Sequence, residues 1–396
     1  VFLELVQIGL FWLLLPVAAA SGWYAGRMGR RGAPKDRRRA PGVSHEYFRG
    51  LNYLLNEQPD KAIEVFISLL DVDNETVETH LALGNLFRRR GEVDRAIRIH
   101  QNLVARPGLD RNQHALAVQE LAMDYLRSGL LDRAESLFSE LTTLGAHKRQ
   151  ALRQLVHIYQ QEQDWDKAIE ASRLLESETG VDLSAMVAHF YCERVELARR
   201  RGDFERAQAL VAEALGVDPK CVRASILEGE IAASRGADES AVAAYQRVAS
   251  QDEAYVPETI YPLLASHRRL GTLEEFRRYL EALAERHMGI TPVLVLAELL
   301  AERGELRHAT RRIAEELRRR PSVRGLDRLA DYALQGAAGE TLENLKILKE
   351  FTSKLLENRA VYRCRMCGFT GKSLHWQCPG CKEWNSVKPI HGIEGE

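Results

Sequence analysis

Residues 84–100 read GNLFRRRGEVDRAIRIH, and this stretch decides the fold because the chain keeps returning to it. Gly84, Phe87, Gly91, Ala96 and His100 stand at offsets of 0, 3, 7, 12 and 16. Gly50, Tyr53, Ala62 and Phe66 open the same order earlier, and Tyr125, Gly129, Ala134 and Phe138 repeat it, followed by Tyr159 and Ala168. Next come Gly202, Ala207 and Pro219, then Gly229, Gly236, Ala241 and Tyr245. Gly271 with Leu280, and Gly304 with Ala309 and Pro321, close the series. The marker positions 62, 96, 134, 168, 207, 241, 276 and 309 are 33–39 residues apart, and only Phe276 departs from Ala. Small residues at the Gly50 and Ala62 positions let two antiparallel helices approach, and the aromatic at the Phe66 position fills the gap beyond. Gly at the Gly91 position ends the first helix, since only Gly reaches the left-handed conformation without strain. Acidic residues soon after it (Asp94, Asp132, Asp166, Glu205, Glu239) suit the first turn of a second helix.

This period and residue order resemble the tetratricopeptide repeat. The resemblance implies an all-α fold over residues 44–321, about eight helical hairpins stacked into a superhelix. One hairpin cannot bury its apolar face alone, so stability requires stacking. Beyond Pro321 the pattern decays. Helical spacing persists in Leu342, Leu345, Leu348, Phe351 and Leu355, so residues 322–359 are expected to cap the stack.

At 396 residues the chain exceeds a usual single core. Leu5–Gly26 carries no charge, which is the length a helix needs to cross a bilayer. Residues 1–26 are therefore expected to form a retained membrane anchor. A cleaved signal peptide places its cations before the apolar run, whereas here Glu4 precedes it and seven Lys or Arg follow by Arg39. Residues 27–43 read as a flexible basic linker, and the positive-inside bias puts the rest of the chain in the cytoplasm. Ala18, Gly22 and Gly26 recur on one helix face and, with the repeat array, permit a homodimer. The formal net charge of −1 leaves the body beyond the linker acidic, which argues against nucleic acid as a partner.

The first helix of each hairpin lines the inner wall in this repeat class. Its inner positions include Asn85, Arg88, Arg89, Arg127, Arg153, His157, Arg199 and Arg200. Guanidinium groups pair with carboxylates in bidentate geometry, so the wall fits an extended acidic peptide or a partner helix. The alternative for each is solvated charge that keeps the array soluble. Cys192 and Cys221 have no CxxC partner and are expected as buried small hydrophobes. The sequence contains no HExxH, P-loop, GxSxG or GxGxxG motif, and the chain is not expected to be an enzyme.

The other four cysteines stand as Cys364-x2-Cys367, ten residues, then Cys378-x2-Cys381. Each pair bends the backbone so that two thiolates face one centre, and two pairs complete a tetrahedron around one metal ion. Gly368 follows the first pair and allows backbone amides to aim at sulfur. Arg363, Arg365, Lys372 and Lys382 offset the negative charge of a four-thiolate site. His375 is near enough to ligate, but four cysteines already fill the shell. The module, residues 360–390, resembles rubredoxin, whose knuckles have the form CxxCG and CPxCG. Lys382 stands where the second knuckle expects Gly. Iron would imply electron transfer and zinc a structural staple. Zinc is preferred, because the ribbon is tied to a solenoid that carries no redox domain.

Anchor, repeat array and ribbon in this order resemble the lipopolysaccharide assembly protein B family of Gram-negative bacteria. The likeness covers the whole chain, including the YRCxxCGF and WxCPxC stretches. It implies an inner-membrane adaptor that presents the deacetylase committing precursor to lipid A to a membrane AAA+ metalloprotease. A lipopolysaccharide-sensing inner-membrane regulator would be its third partner. It also implies that the ribbon lies against the solenoid, so that losing metal abolishes function without removing a catalytic group. A non-proteolytic scaffold for envelope biosynthesis enzymes and a rubredoxin-type electron carrier are the alternatives.

Overall fold

The repeated Gly positions set the hairpins. The computed structural model describes residues 45–56, 58–72, 77–145, 147–286, 288–357, 359–393 and 395–396, with four helical residues at 20, 21, 23 and 24. Otherwise the expected anchor and basic linker lie outside the described residues. Among the described residues no helix is long and apolar enough to cross a membrane. The chain divides into two compact units, Val1–Glu92 and Val93–Glu396.

In the first unit the helices are α1 (His45–Leu55), α2 (Pro59–Val72) and α3 (Val77–Arg89). A Cβ on Gly50 would fall 2.7 Å from the Phe66 ring, so the small residue and the aromatic make one close helix crossing. Ala62 and Phe66 are fully buried there.

The second unit begins with α4 (Val93–Val104), α5 (Arg111–Ser128), α6 (Leu131–Leu144), α7 (Lys148–Glu162) and α8 (Trp165–Thr179). It continues with α9 (Ser184–Arg200), α10 (Phe204–Val217), α11 (Val222–Ser234), α12 (Asp238–Gln251) and a 3-10 turn at Glu253–Tyr255. Then come α13 (Val256–Leu270), α14 (Leu273–Glu285), α15 (Thr291–Glu302), α16 (Leu306–Arg319), α17 (Val323–Leu334) and α18 (Glu340–Glu357). Helix α5 shows how a hairpin is bounded. Asp110 caps it, with Gln113 closing a capping box, and Gly129 ends it at φ 79°. In α7 the same stop is made by Gln163 at φ 58°, a left-handed residue without the freedom of glycine.

The marker positions form the seams. Ala134, Ala168, Ala207, Ala241 and Ala309 are all fully buried. Phe276 fills the seventh marker position without exposure and stacks on His267, ring centroids 5.1 Å apart. His100 occupies the slot that Phe or Tyr fills elsewhere, and Asp124 Oδ2 satisfies its Nδ1 at 2.5 Å. Both of those side chains are shut off from solvent.

The ribbon consists of β1 (Tyr362–Cys364), β2 (Thr370–Gly371) and β3 (Val387–Pro389) in the order β2-β1-β3, both pairs antiparallel. Tyr362 pairs with Gly371 on one side and Pro389 on the other. The fold is thus mostly helical and tetratricopeptide-like, with one small C-terminal ribbon.

Candidate metal centre and its docking surface

The ribbon's two CxxC turns bring all four cysteines together. Cys364 Sγ lies 3.7 Å from Cys381 Sγ, Cys367 Sγ lies 3.6 Å from Cys378 Sγ, and the four sulfurs fall within 4.8 Å of one another. A tetrahedron with metal–sulfur bonds of about 2.3 Å has edges of about 3.8 Å, so the cluster has the dimensions of a closed four-thiolate site for one metal ion. Cys364 and Cys378 are buried, while Cys367 is exposed. His375 stays outside the cluster, its Nε2 3.2 Å from the Ser373 hydroxyl.

The two knuckles supply amides to sulfur. Gly368 turns at φ 78°, and the Met366 and Cys367 amides reach Cys364 Sγ at 3.4 and 3.5 Å. Burial opposes ionisation of Cys364, but the Ser386 hydroxyl and these amides outweigh it and bring the thiol down to about 6. The second knuckle keeps the same turn although Lys382 replaces Gly. Lys382 takes φ 63°, and its amide donates to the Cys378 carbonyl at 2.9 Å. The Cys378 amide in turn donates to the Glu383 carbonyl at 2.9 Å, so the backbone bonds hold a conformation that the side chain disfavours.

The ribbon is wedged against helices of its own unit. The Trp384 indole donates to Gln160 Oε1 on α7 at 2.9 Å, and Gln377 Nε2 donates to the same oxygen at 3.1 Å. The Trp384 ring stacks on His189 of α9 at 5.2 Å and meets Trp165 of α8 and Phe190 of α9 edge-on at 6.3 and 5.8 Å. Trp376 lies between His189, at 5.9 Å, and Tyr255, at 5.2 Å. Farther along, the Tyr255 hydroxyl lies 2.8 Å from Asn385 Oδ1 and 2.9 Å from the Val387 carbonyl. Lys388 pairs with Asp252 and sits 4.8 Å over the Tyr255 ring. The Tyr362 hydroxyl donates to Glu258 of α13 at 2.8 Å. The Glu396 carboxylate accepts from the Thr291 amide and hydroxyl on α15 at 3.1 and 2.8 Å and pairs with Arg324 of α17. The ribbon thus touches helices from α7 to α13, and Glu396 beyond it extends the contact to α15 and α17.

His189 pays for its place in this seam. Burial first, and then the positive charge of Arg223, lower its pKa from 6.5 to about 3, and its Nδ1 has no hydrogen-bond partner. It is therefore neutral wherever the ribbon is docked.

The residues assigned to the inner wall are placed more variously. Arg88 donates to Asn85 within α3, and Arg89 is exposed. Arg127, Arg153 and Arg200 are exposed on α5, α7 and α9. His157 is exposed too, its Nε2 2.8 Å from Gln161 Nε2. Arg199 is already engaged, its Nη1 2.6 Å from Glu230 on α11. Cys192 and Cys221, both buried, come within 3.9 Å of each other through their sulfurs.

The docking residues Gln160, Trp165, His189 and Tyr255 were not identifiable from the repeat pattern. Their only sequence signal is the pair of tryptophans, Trp376 and Trp384, carried by a ribbon too small to enclose them.

Comparison with known proteins agrees with this architecture. The rubredoxin metal-binding domain family matches residues 362–389, and tetratricopeptide-repeat families match residues 79–112 and 192–255. The chain is 41% identical over 393 residues to lipopolysaccharide assembly protein B of Escherichia coli (strain K12), covering 98% of this chain and 100% of that one. It is 35% identical over 399 residues to the protein of the same name from Haemophilus influenzae, covering 98% and 100%.

Proposed function

The chain belongs to the lipopolysaccharide assembly protein B family, and from that premise we propose that it is a non-catalytic, membrane-tethered adaptor limiting lipopolysaccharide synthesis. Its apolar segment holds it in the bacterial inner membrane as a single span, with the bulk of the chain in the cytoplasm. It presents the deacetylase that commits precursor to lipid A to a membrane AAA+ metalloprotease, and a lipopolysaccharide-sensing regulator in the same membrane restrains it. Tethering raises the effective concentration of bound substrate beside the protease, so modest contacts suffice.

The observation that carries this reading is the ribbon locked across α7 to α13. A four-thiolate site in that position sets the geometry of a docking wall, and its closed shell leaves no open position for metal-activated water. Zinc fits that role. Bound there, it would be held by Cys364, Cys367, Cys378 and Cys381 and would supply folding energy to a segment too short to sustain a core.

The test is the half-life of the deacetylase in cells. Deleting this protein lengthens it, the wild-type chain restores it, and Cys378→Ser does not. A half-life indifferent to deletion would overturn the adaptor reading and leave the non-proteolytic scaffold or the electron carrier. The exposure of Cys367 favours a second reading, the electron carrier, since a redox centre needs an edge near the surface. Purified protein that is colourless and carries one zinc per chain excludes it, whereas a red ferric tetrathiolate would establish it.

A further inference from the structure

Several arginines in the second unit pair with an acid one repeat away. Arg269 reaches Asp238 at 2.6 Å, Arg268 reaches Glu302 at 2.5 Å and Arg286 reaches Glu253 at 2.7 Å. Helix α16 carries arginines without such a partner, as α5, α7 and α9 do at Arg127, Arg153 and Arg200, but on α16 three of them share one face. Arg307, Arg311 and Arg318 are all exposed, and among the described residues none makes a hydrogen bond or ion pair. At 100° per residue the three side chains fall within an arc of about 40°, and at 1.5 Å per residue they span about 16 Å along the helix. Of the exposed acids nearby, Glu305 pairs with His308 at 2.9 Å, and Glu315, at the edge of the strip, lies 4.0 Å from Arg312.

We infer that this face of α16 docks onto the phosphate-bearing headgroups of an anionic bilayer. The face is a straight cationic strip, and no large hydrophobic residue is exposed between Arg303 and Arg320. A protein partner needs an apolar centre from which water is excluded, whereas a headgroup layer is recognised by charge alone. The body beyond the basic linker is acidic in net charge, so an anionic bilayer holds it only through a local cationic face such as this one. The inference rests on the membrane-tethered reading only for proximity. The strip itself supplies the attraction, about fivefold in the docked-to-free ratio for each cation and on the order of a hundredfold for three at low salt.

The test reconstitutes the full chain in lipid discs, with a photo-crosslinking residue replacing His308 beside the strip and a control crosslinker replacing Lys346 on α18. Discs of phosphatidylcholine are compared with discs containing about a third phosphatidylglycerol. Lipid adducts at position 308 are expected only in the anionic discs. They should fall to the neutral-disc level at about 0.5 M salt, where charges are screened beyond a few ångströms. They should fall equally in R307Q/R311Q/R318Q, whose melting temperature should match the wild type because the three side chains are exposed and make no hydrogen bond or ion pair among the described residues. Equal adducts in both discs, adducts that survive the triple substitution, or adducts to a protein in native membranes in place of lipid would each overturn the inference. A chain that stays outside the discs refutes the anchor instead. Its position 308 still reports in the same mixture whether anionic lipid captures the strip.

Discussion

Trp384→Ala separates docking of the ribbon from its folding. The indole is half-buried, touches Trp165, His189 and Phe190, and donates one hydrogen bond to Gln160, and it packs on the helical core and not with Tyr362, Phe369 and Leu374 on the buried cysteines. Truncating a fully buried tryptophan costs about 3–5 kcal/mol, and partial exposure puts this site at the lower end, about 3 kcal/mol. The lost hydrogen bond is a small part of that, roughly 1 kcal/mol, because Gln377 still engages Gln160 Oε1. A cost of about 3 kcal/mol shifts the docked-to-undocked ratio about 150-fold. Trp384→Phe retains the ring contacts and should cost only about 1 kcal/mol. Hydrogen exchange of the full chain in detergent reads the difference. In the alanine variant, amides near Trp165 and in the Glu253–Tyr255 turn should exchange faster by up to that factor, while metal content and the amide of Cys364 stay as in the wild type. Wild-type exchange in the alanine variant, or a Phe variant as loose as the Ala one, would refute the reasoning that the indole seam holds the ribbon.

Other perturbations probe the repeat, the second knuckle and the seam. In Gly229→Ala the new methyl would stand 2.5 Å from the Tyr245 ring, so one helix crossing must open. Overpacking of this kind costs about 1–3 kcal/mol and should lower the melting temperature, with no change expected at Gly216→Ala, where a Cβ meets nothing within 4 Å. Lys382→Gly relieves a left-handed residue and should strengthen the ribbon by about 1 kcal/mol, read as slower loss of metal to a chelator. His189, lowered to about 3 in the docked form, sets an acid limit. Its contribution is complete above pH 6.5 and declines as the pH falls towards 3, because the released histidine takes up a proton that the docked one refuses. The loss is about 2 kcal/mol at pH 5, and His189→Phe should remove that part of the slope in an acid-unfolding series.

How much of this was legible in the sequence follows from the range of the interactions. The hairpins were visible because each depends on residues at fixed short offsets, and the steric demand of Gly229 on Tyr245 recurs sixteen residues apart at Gly50 and Phe66. The two cysteine pairs were visible for the same reason. Lys382 illustrates where pattern and geometry part: it departs from the expected glycine, yet the turn survives because amides at both ends are bonded across it. Docking of the ribbon had no such trace. Gln160 and Trp384 are 224 positions apart, and no period in the chain relates them. The arginines fall between these cases. Arg199–Glu230, Arg269–Asp238 and Arg286–Glu253 join residues 31–33 apart, so the repeat itself creates a ladder of ion pairs between neighbouring hairpins. An arginine on such an array is thus a stronger functional candidate when no acid stands one repeat away to take it. By that criterion Arg127, Arg153 and Arg200 stand ahead of Arg199, which Glu230 already holds, and the three arginines of α16 join them.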